Sequence, residues 1–251
     1  MGQLIAHRSA HVLTLELSNA GKANALDRDM LAQLDAHVAQ VNGDQSVRVV
    51  VLRGQGGGVF SSGADIRQWA PMPPEEFARD WIGWGNAIFD RFESLRCPTV
   101  AAIEGLCFGG GLELALCADL RVASSAARFC FPEVTIGAIP GWHGGPRLAR
   151  LVGRGLALEA VLTAGEINAG TAHAWGLVNR ACAIESFELD LQALVDRLTR
   201  VSPRAAALAK AAIVGTQDSA HFYTAATRAL KGSPDAVIGI QAFAGKTAAV
   251  F

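Results

Sequence analysis

Two glutamates, Glu113 and Glu133, sit among small and apolar neighbours in Gly105-Leu106-Cys107-Phe108-Gly109-Gly110-Gly111-Leu112-Glu113 and Phe131-Pro132-Glu133-Val134-Thr135-Ile136-Gly137. Carboxylates in such surroundings are unusual for a surface and suit paired acid/base work. Glu113 falls in the first turn of a helix opened by glycines, where the helix dipole is expected to favour its ionised form. The glycine run and a second loop, Val59-Phe60-Ser61-Ser62-Gly63-Ala64-Asp65-Ile66, both put small residues at a strand-to-helix junction. Backbone N–H groups there are free to point at a ligand with no Cβ in the way. Two such loops supply the two convergent donors that a developing oxyanion needs. Neither is a nucleotide cradle: no Lys-Ser/Thr follows the glycines, and the spaced G-x-G-x-x-G is missing.

These loops need a scaffold of alternating strands and helices. His11–Leu17 alternates apolar and polar residues, as a half-buried strand does. Asp27 is placed to cap a helix carrying Met30, Leu31, Leu34 and Val38. Val47–Leu52 reads as a buried strand running into the loop Gly54–Gly58. A helix with Phe77, Trp81, Ile88 and Phe92 leads to a strand over Thr99–Ile103, the loop 104–108, and a helix from about Leu112. A further strand–loop–helix unit is expected around Leu120–Ala123. This is an α/β pattern with its site at loops that follow strands. From about Ser186 the period becomes helical, broken at Ser202-Pro203 and Ser233-Pro234, each a cap followed by Pro. The expectation is a β/α core over 1–185 and about three helices over 186–251, in one continuous fold.

Composition narrows the class. Of 251 residues, 51% are hydrophobic and 18% charged, too apolar for intrinsic disorder, and a net charge of −1 leaves no footprint for nucleic acid or an anionic membrane. Five cysteines, Cys97, Cys107, Cys117, Cys130 and Cys182, form no CxxC pair, which argues against a disulfide framework or a zinc knuckle. The N-terminal stretch lacks a secretory pattern and no apolar run has the length of a membrane span, so the cytoplasm is the expected location. His7, His11, His37, His173 and His221 are scattered and read as structural or exposed. Trp69, Trp81 and Trp84 read as core or pocket wall, and Cys107 as a small buried residue.

In order along the chain stand Lys22-Ala23-Asn24-Ala25-Leu26, Ser-Gly-Ala-Asp-Ile at 62–66, Gly-Gly-Gly-x-Glu-Leu at 109–114, Pro-Glu-x-x-x-Gly at 132–137, Pro140-Gly141 with Arg147-Leu148, Gly176-Leu177-Val178, and Ala242-Phe243-Ala244-Gly245-Lys246. This series resembles the crotonase, or enoyl-CoA hydratase/isomerase, superfamily. The resemblance implies an α/β fold, a crotonase-like spiral of ββα units with a helical C-terminal region. It implies an oxyanion hole from the backbone N–H groups of Ala64 and Gly110, polarising the thioester of an acyl-CoA. It further implies syn addition of water to a trans-2-enoyl-CoA, with Glu113 helping to activate water and Glu133 moving the α-carbon proton. Gly141 matches a position beside that water.

Coenzyme A enters only as part of the substrate; no metal and no separate cofactor are expected. Backbone around Ala23–Ala25 and the loop Ala64, Asp65, Ile66 line its site by resemblance, Asp65 itself anchoring the loop. Arg67 is placed to meet a phosphate. Lys246 matches a residue that reaches CoA, sometimes on a neighbouring subunit, and a homotrimer or dimer of trimers is implied. Trp142 and His143 depart from the family, which usually has small residues there; they are positioned to narrow the acyl pocket or to add a titratable group, His143 reading first as a loop residue. The rival readings are an enoyl-CoA isomerase, another acyl-CoA lyase or dehydratase, and a non-catalytic acyl-CoA-binding homologue. Glu113 beside Glu133 favours the hydratase, because an isomerase needs no second group to position water.

Overall fold

The computed structural model describes residues 1–19, 21–215 and 219–251, with nothing described of the side chains at 219 and 220. The alternating run near the start is the second arm of a hairpin: β1 (Gln3–Ser9) pairs antiparallel with β2 (Val12–Ser18), Leu4 opposite Leu17. β1 was not expected, and the reason is visible in its burial. Most of its side chains are exposed, so it carries little apolar alternation to read. Asp27 caps α1 (Arg28–Gly43), its Oδ1 accepting the Met30 N–H at 2.9 Å, and Met30, Leu31, Leu34, Val38 and Val41 are buried.

Three successive units then share one pattern. β3 (Val49–Gly54) is followed by β4 (Val59–Ser61), α2 (Ile66–Trp69), α3 (Pro74–Glu76), a π-helical stretch over Phe77–Gly83 and α4 (Trp84–Glu93). β5 (Thr99–Ile103) is followed by β6 (Leu106–Phe108) and α5 (Gly110–Leu116). β7 (Leu120–Ser124) is followed by β8 (Arg128–Cys130) and, where a helix was expected, only a 3₁₀ turn over Glu133–Ile136. Pro132 immediately before the turn and left-handed Gly137 immediately after it keep that segment short. Beyond lie α6 (Gly144–Val152), α7 (Arg154–Thr163), β9 (Ile167–Asn168), α8 (Ala169–Ala174) and β10 (Arg180–Cys182).

The first strand of each unit joins a six-stranded sheet in the order β1-β2-β3-β5-β7-β10, and the second joins a four-stranded sheet in the order β4-β6-β8-β9. Each unit therefore steps from one sheet to the other, which makes the ββα spiral. β3 and β5 pair in parallel with neighbours on both sides and are buried on both faces. Val50 and Leu52 pack in the main core with α1 and α4, while Val49, Val51, Val100 and Val122 meet Phe187, Leu191, Leu194 and Val195 of α9 (Phe187–Arg200).

After α9 come α10 (Pro203–Val214), α11 (Ser219–Lys231) and α12 (Pro234–Gly245), so the C-terminal region has four helices rather than about three. Ser202 and Ser233 cap α10 and α12 as expected, accepting the N–H groups of Ala205 at 3.0 Å and Ala236 at 3.2 Å. The extra break falls at Gly215, a weaker signal than a Ser-Pro pair. No helix among the described residues is long and apolar enough to cross a membrane.

Candidate active site

The two small-residue loops meet because consecutive units of the spiral stack β4 beside β6. The Leu26 N–H donates to the Gly63 carbonyl at 2.7 Å, and the Asp65 N–H donates to the Leu26 carbonyl at 2.8 Å. This parallel bridge uses the groups on either side of Ala64 and turns the N–H of Ala64 itself the other way. Across from it, Gly109 takes φ 48° and ψ −128°, a conformation open to glycine, and starts α5 so that the Gly110 N–H lies ahead of the first helical turn. Neither N–H has an acceptor among the described residues. Gly63, at φ 109°, leaves no space either: a methyl there would lie 3.2 Å from the Phe108 carbonyl oxygen and 3.3 Å from the Gly110 nitrogen.

Glu113, one turn into α5, is 2% exposed. Its Oε1 accepts two backbone hydrogen bonds, from Trp142 at 2.8 Å and Gly144 at 2.9 Å. Burial nevertheless pushes this carboxyl up to about 8; nearby Glu133 adds to the rise, and the two amides only partly offset it. The expectation that the helix N-terminus favours the ionised form is thus outweighed by desolvation. Glu133, on the 3₁₀ turn, is also raised by burial. Its Oε2 is buried without a hydrogen-bond partner, and its Oε1 lies 2.8 Å from where a methyl on Gly109 would sit. Among the described residues neither glutamate is ion-paired: Arg147 is engaged with Asp90 and Glu93.

The segment 139–147 forms a third wall. Trp142 is 1% exposed, with its ring centroid 5.1 Å from that of Phe89 and 5.6 Å from that of Trp81, and its Nε1 donates to the Trp81 carbonyl at 3.2 Å. Arg147, itself buried, holds this wall: Nη1 donates to the Trp142 carbonyl, Nη2 to Asp90 and Nε to Glu93, at 2.6, 2.6 and 2.9 Å. Gly141 presses on Ile82 and gives its carbonyl to Asn86 Nδ2 at 3.0 Å. His143 adopts a left-handed backbone ahead of α6 and is half exposed, with Nδ1 3.8 Å from Asp90. Among the described residues no hydrogen bond or ion pair joins it to either glutamate, whereas the Trp142 N–H is one of the two donors to Glu113.

The positions ascribed to coenzyme A divide. Ala23 and Asn24 are both left-handed, at φ 49° and 53°, and the Ala23 carbonyl accepts from the Ser62 N–H, so the loop carrying Ala23 and Ala25 is stitched to the loop carrying Ala64. Asp65 is 5% exposed and already engaged: Lys22 Nζ reaches its Oδ2 at 2.6 Å and the Arg67 N–H its Oδ1 at 3.2 Å. Burial acts to raise this carboxyl, but Lys22 and Arg67, through its N–H and its charge, together outweigh it and hold Asp65 below its ordinary range. Its side chain therefore anchors the loop and is not available to a ligand, whereas Ile66 and Arg67 are exposed. Lys246 ends α12, and among the described residues no hydrogen bond or ion pair joins it to these loops. The tail beyond it turns to Arg48, whose guanidinium donates to the Phe251 carbonyl at the N-terminal end of β3, while the glycine loop lies past the other end.

Gly85 and Asn86 take part in this arrangement without having been singled out, and Lys22 and Arg147 were read only as parts of motifs. Arg147 is the one with a usable signal, a cation placed just after a Gly-rich segment. The role of Gly85 is legible only in space, where a methyl would lie 2.2 Å from Trp142 Nε1.

Comparison with known proteins places this geometry. The family described as enoyl-CoA hydratase/isomerase matches residues 7–251. A short-chain-enoyl-CoA hydratase of Clostridium acetobutylicum is 35% identical, over 85% of this chain and 81% of the relative. A crotonyl-CoA hydratase of Syntrophomonas wolfei is likewise 35% identical, over 83% and 80%. The crystal structure of an enoyl-CoA hydratase from Bacillus anthracis superposes with a TM-score of 0.94 at 31% identity, covering 99% of this chain and 98% of the other.

Proposed function

This chain belongs to the enoyl-CoA hydratase/isomerase family, and on that premise we propose how it works as an enoyl-CoA hydratase, adding water across the 2,3 double bond of an acyl-CoA thioester. The observation that carries the reading is the pair of backbone N–H groups, at Ala64 and Gly110, left without acceptors beside two buried carboxyls. The two amides take the thioester oxygen. As the water oxygen bonds to C3, the π electrons move toward that oxygen, and preorganised donors stabilise the enolate-like charge; losing one typically costs about 3–4 kcal/mol. Glu113 Oε1 is fixed by two amides, which leaves Oε2 to take the proton of the attacking water. Glu133 gives its proton to C2 as the enolate collapses. Each turnover thus begins and ends with one proton held between the two carboxyls, and their raised affinity for protons keeps that proton in place near neutral pH.

The CoA portion runs over the stitched Ala23–Ala25 and Ala64–Ile66 loops, with exposed Arg67 in reach of a phosphate, and Lys246 serves the site of a neighbouring protomer. Assembly as a homotrimer, or a dimer of such trimers, is supported by α10 and α12, which bury no residue in the single chain. Five free cysteines accord with a reducing, cytoplasmic setting.

The test follows loss of the conjugated thioester absorbance when the protein meets crotonyl-CoA. Hydration is expected, and Glu113→Gln and Glu133→Gln each lower kcat by about 10²-fold or more. Wild-type rates in both variants would overturn the assignment of the glutamates. Migration of a double bond without net hydration would point to an isomerase instead.

A further inference from the structure

We propose that Arg147 is a positioning residue for Glu113: by gripping the Trp142 carbonyl it keeps two neighbouring amides on one carboxyl oxygen and leaves the other to the water. The proposal rests on the hydratase reading above. Three successive peptide groups carry it. The Trp142 N–H and the Gly144 N–H both donate to Glu113 Oε1, at 2.8 and 2.9 Å. The Trp142 carbonyl lies between those two donors along the chain and accepts from Arg147 Nη1 at 2.6 Å. The next carbonyl, that of His143, accepts from the Arg147 N–H at 3.1 Å. One residue therefore holds both carbonyls of the bend that presents the two amides. The bend needs holding, because His143 stands at φ 60° and ψ 22°, left-handed values that residues other than glycine rarely take. That conformation lets the N–H groups on either side of it converge on one oxygen, as in a backbone nest.

The grip is itself anchored. Arg147 is 3% exposed, and its Nη2 and Nε reach Asp90 at 2.6 Å and Glu93 at 2.9 Å, both on α4. A planar guanidinium fork meets a carbonyl and two carboxylates at once, whereas a lysine ammonium is a point charge on a flexible stem. The charge also acts on Glu113. Burial raises that carboxyl most; the two amides and Arg147 lower it, against Glu133. Among the described residues the titratable groups facing Glu113 are Glu133, Arg147 and Cys117, one turn along α5, whose thiol is pushed up by burial. Those facing Arg147 are Asp90, Glu93 and Cys117, with His143 3.8 Å from Asp90 and Arg150 paired to Glu93. Asp90 and Glu93 keep solvent contact, their side chains 55% and 25% exposed, so a neutral replacement of Arg147 leaves neither carboxylate fully buried and unpaired.

The experiment compares the wild type, Arg147→Met and Arg147→Lys on crotonyl-CoA, measuring kcat and KM per folded protein across pH. In parallel, the infrared band of protonated carboxyl groups is followed through the same titration, with Glu113→Gln identifying the Glu113 contribution. For Arg147→Met, kcat is expected to fall about tenfold or more while KM changes less than about threefold, because Glu113 is displaced and the thioester contacts remain. Losing the charge and loosening the amides both raise Glu113. The alkaline limb of the rate and the infrared titration should therefore move up together, by about one pH unit or more. Arg147→Lys should bring the titration back toward the wild type while kcat stays low, since it restores the charge without the fork. If Arg147→Met does not fold, Arg147→Lys decides: a wild-type kcat there would overturn the proposal. A folded Arg147→Met with a lower Tm, a wild-type kcat and an unmoved limb would reduce Arg147 to a structural residue and overturn it too. Folded wild-type protein that hydrates no crotonyl-CoA would overturn the hydratase reading, while the infrared titration would still decide whether Arg147 governs Glu113.

Discussion

Two helices with similar apolar content have opposite fates in this molecule. α5 buries all seven of its residues, packed against β4, β6 and α6, and α12, with Val237, Ile238, Ile240 and Phe243, buries none. α5 is held by strands on either side of it in sequence, so its surroundings are complete within one chain. α12 follows the last strand, and Phe243 stands 87% exposed, as Ile213 of α10 stands 82% exposed. Apolar composition thus states that a surface is to be covered, and the topology states whether the same chain covers it. The site belongs to the first kind of region: its amides, acids and aromatic wall all lie within residues 60–147.

If that region is self-contained and tightly filled, adding one methyl inside it should have the largest effect. Gly110→Ala places a Cβ against Trp142 and the Ala64 nitrogen. We expect kcat/KM for hydration to fall by about 10²-fold or more, as when an oxyanion donor is lost, together with a lower Tm. Near-normal activity would mean that the space between amide and indole yields more than its packing implies.

Next in size is the pH dependence. With Glu113 raised to about 8, the shared proton leaves as pH rises through that value, so kcat/KM should decline about tenfold per unit above it. A flat profile to pH 10 would separate the glutamates from the proton transfers. In the C-terminal region, if these helices form the proposed interface, Ile213→Asp combined with Phe243→Ser should yield single protomers in sedimentation equilibrium where the wild type sediments as a trimer or larger. Unchanged mass would remove those helices from the interface. The smallest effect concerns stability. The folded Glu113 carboxyl binds its proton more tightly than the unfolded chain does, so its contribution is fully present below about 4.5 and is lost as pH rises toward 8. That loss runs at about 1.4 kcal/mol per unit. Glu113→Gln removes it and should raise Tm by about 3 °C or more at pH 8, with little gain at pH 5.

Much of this was legible in the residues. Asp27, Ser202 and Ser233 announced their helices because a side-chain oxygen three positions ahead of a backbone N–H is a local device. The glycine run and Glu113 were readable for a similar reason, since a strand-to-helix junction with no Cβ is defined within a few residues. β1 escaped because its side chains are mostly solvated. The clamp from Arg147 to Asp90 and Glu93 escaped because its partners are more than fifty residues away on α4. The ionisation of Glu113 was misjudged for the same reason: the helix dipole is a local feature, while burial is the work of the whole fold.

What the order of amino acids settled, then, was the identity of the candidate groups and the short-range geometry around each: which loops are free of Cβ atoms, which acids are present, and where the chain turns. Folding supplied what depends on distant segments meeting. It brought the Ala64 nitrogen close beside Gly110, raised Glu113 to about 8 by closing water out, and laid Trp142 against Gly85 and Gly110. The division has a physical cause. Turns and caps arise from torsions and hydrogen bonds within a few residues, whereas desolvation and steric exclusion depend on every atom that packs nearby, wherever it lies along the chain.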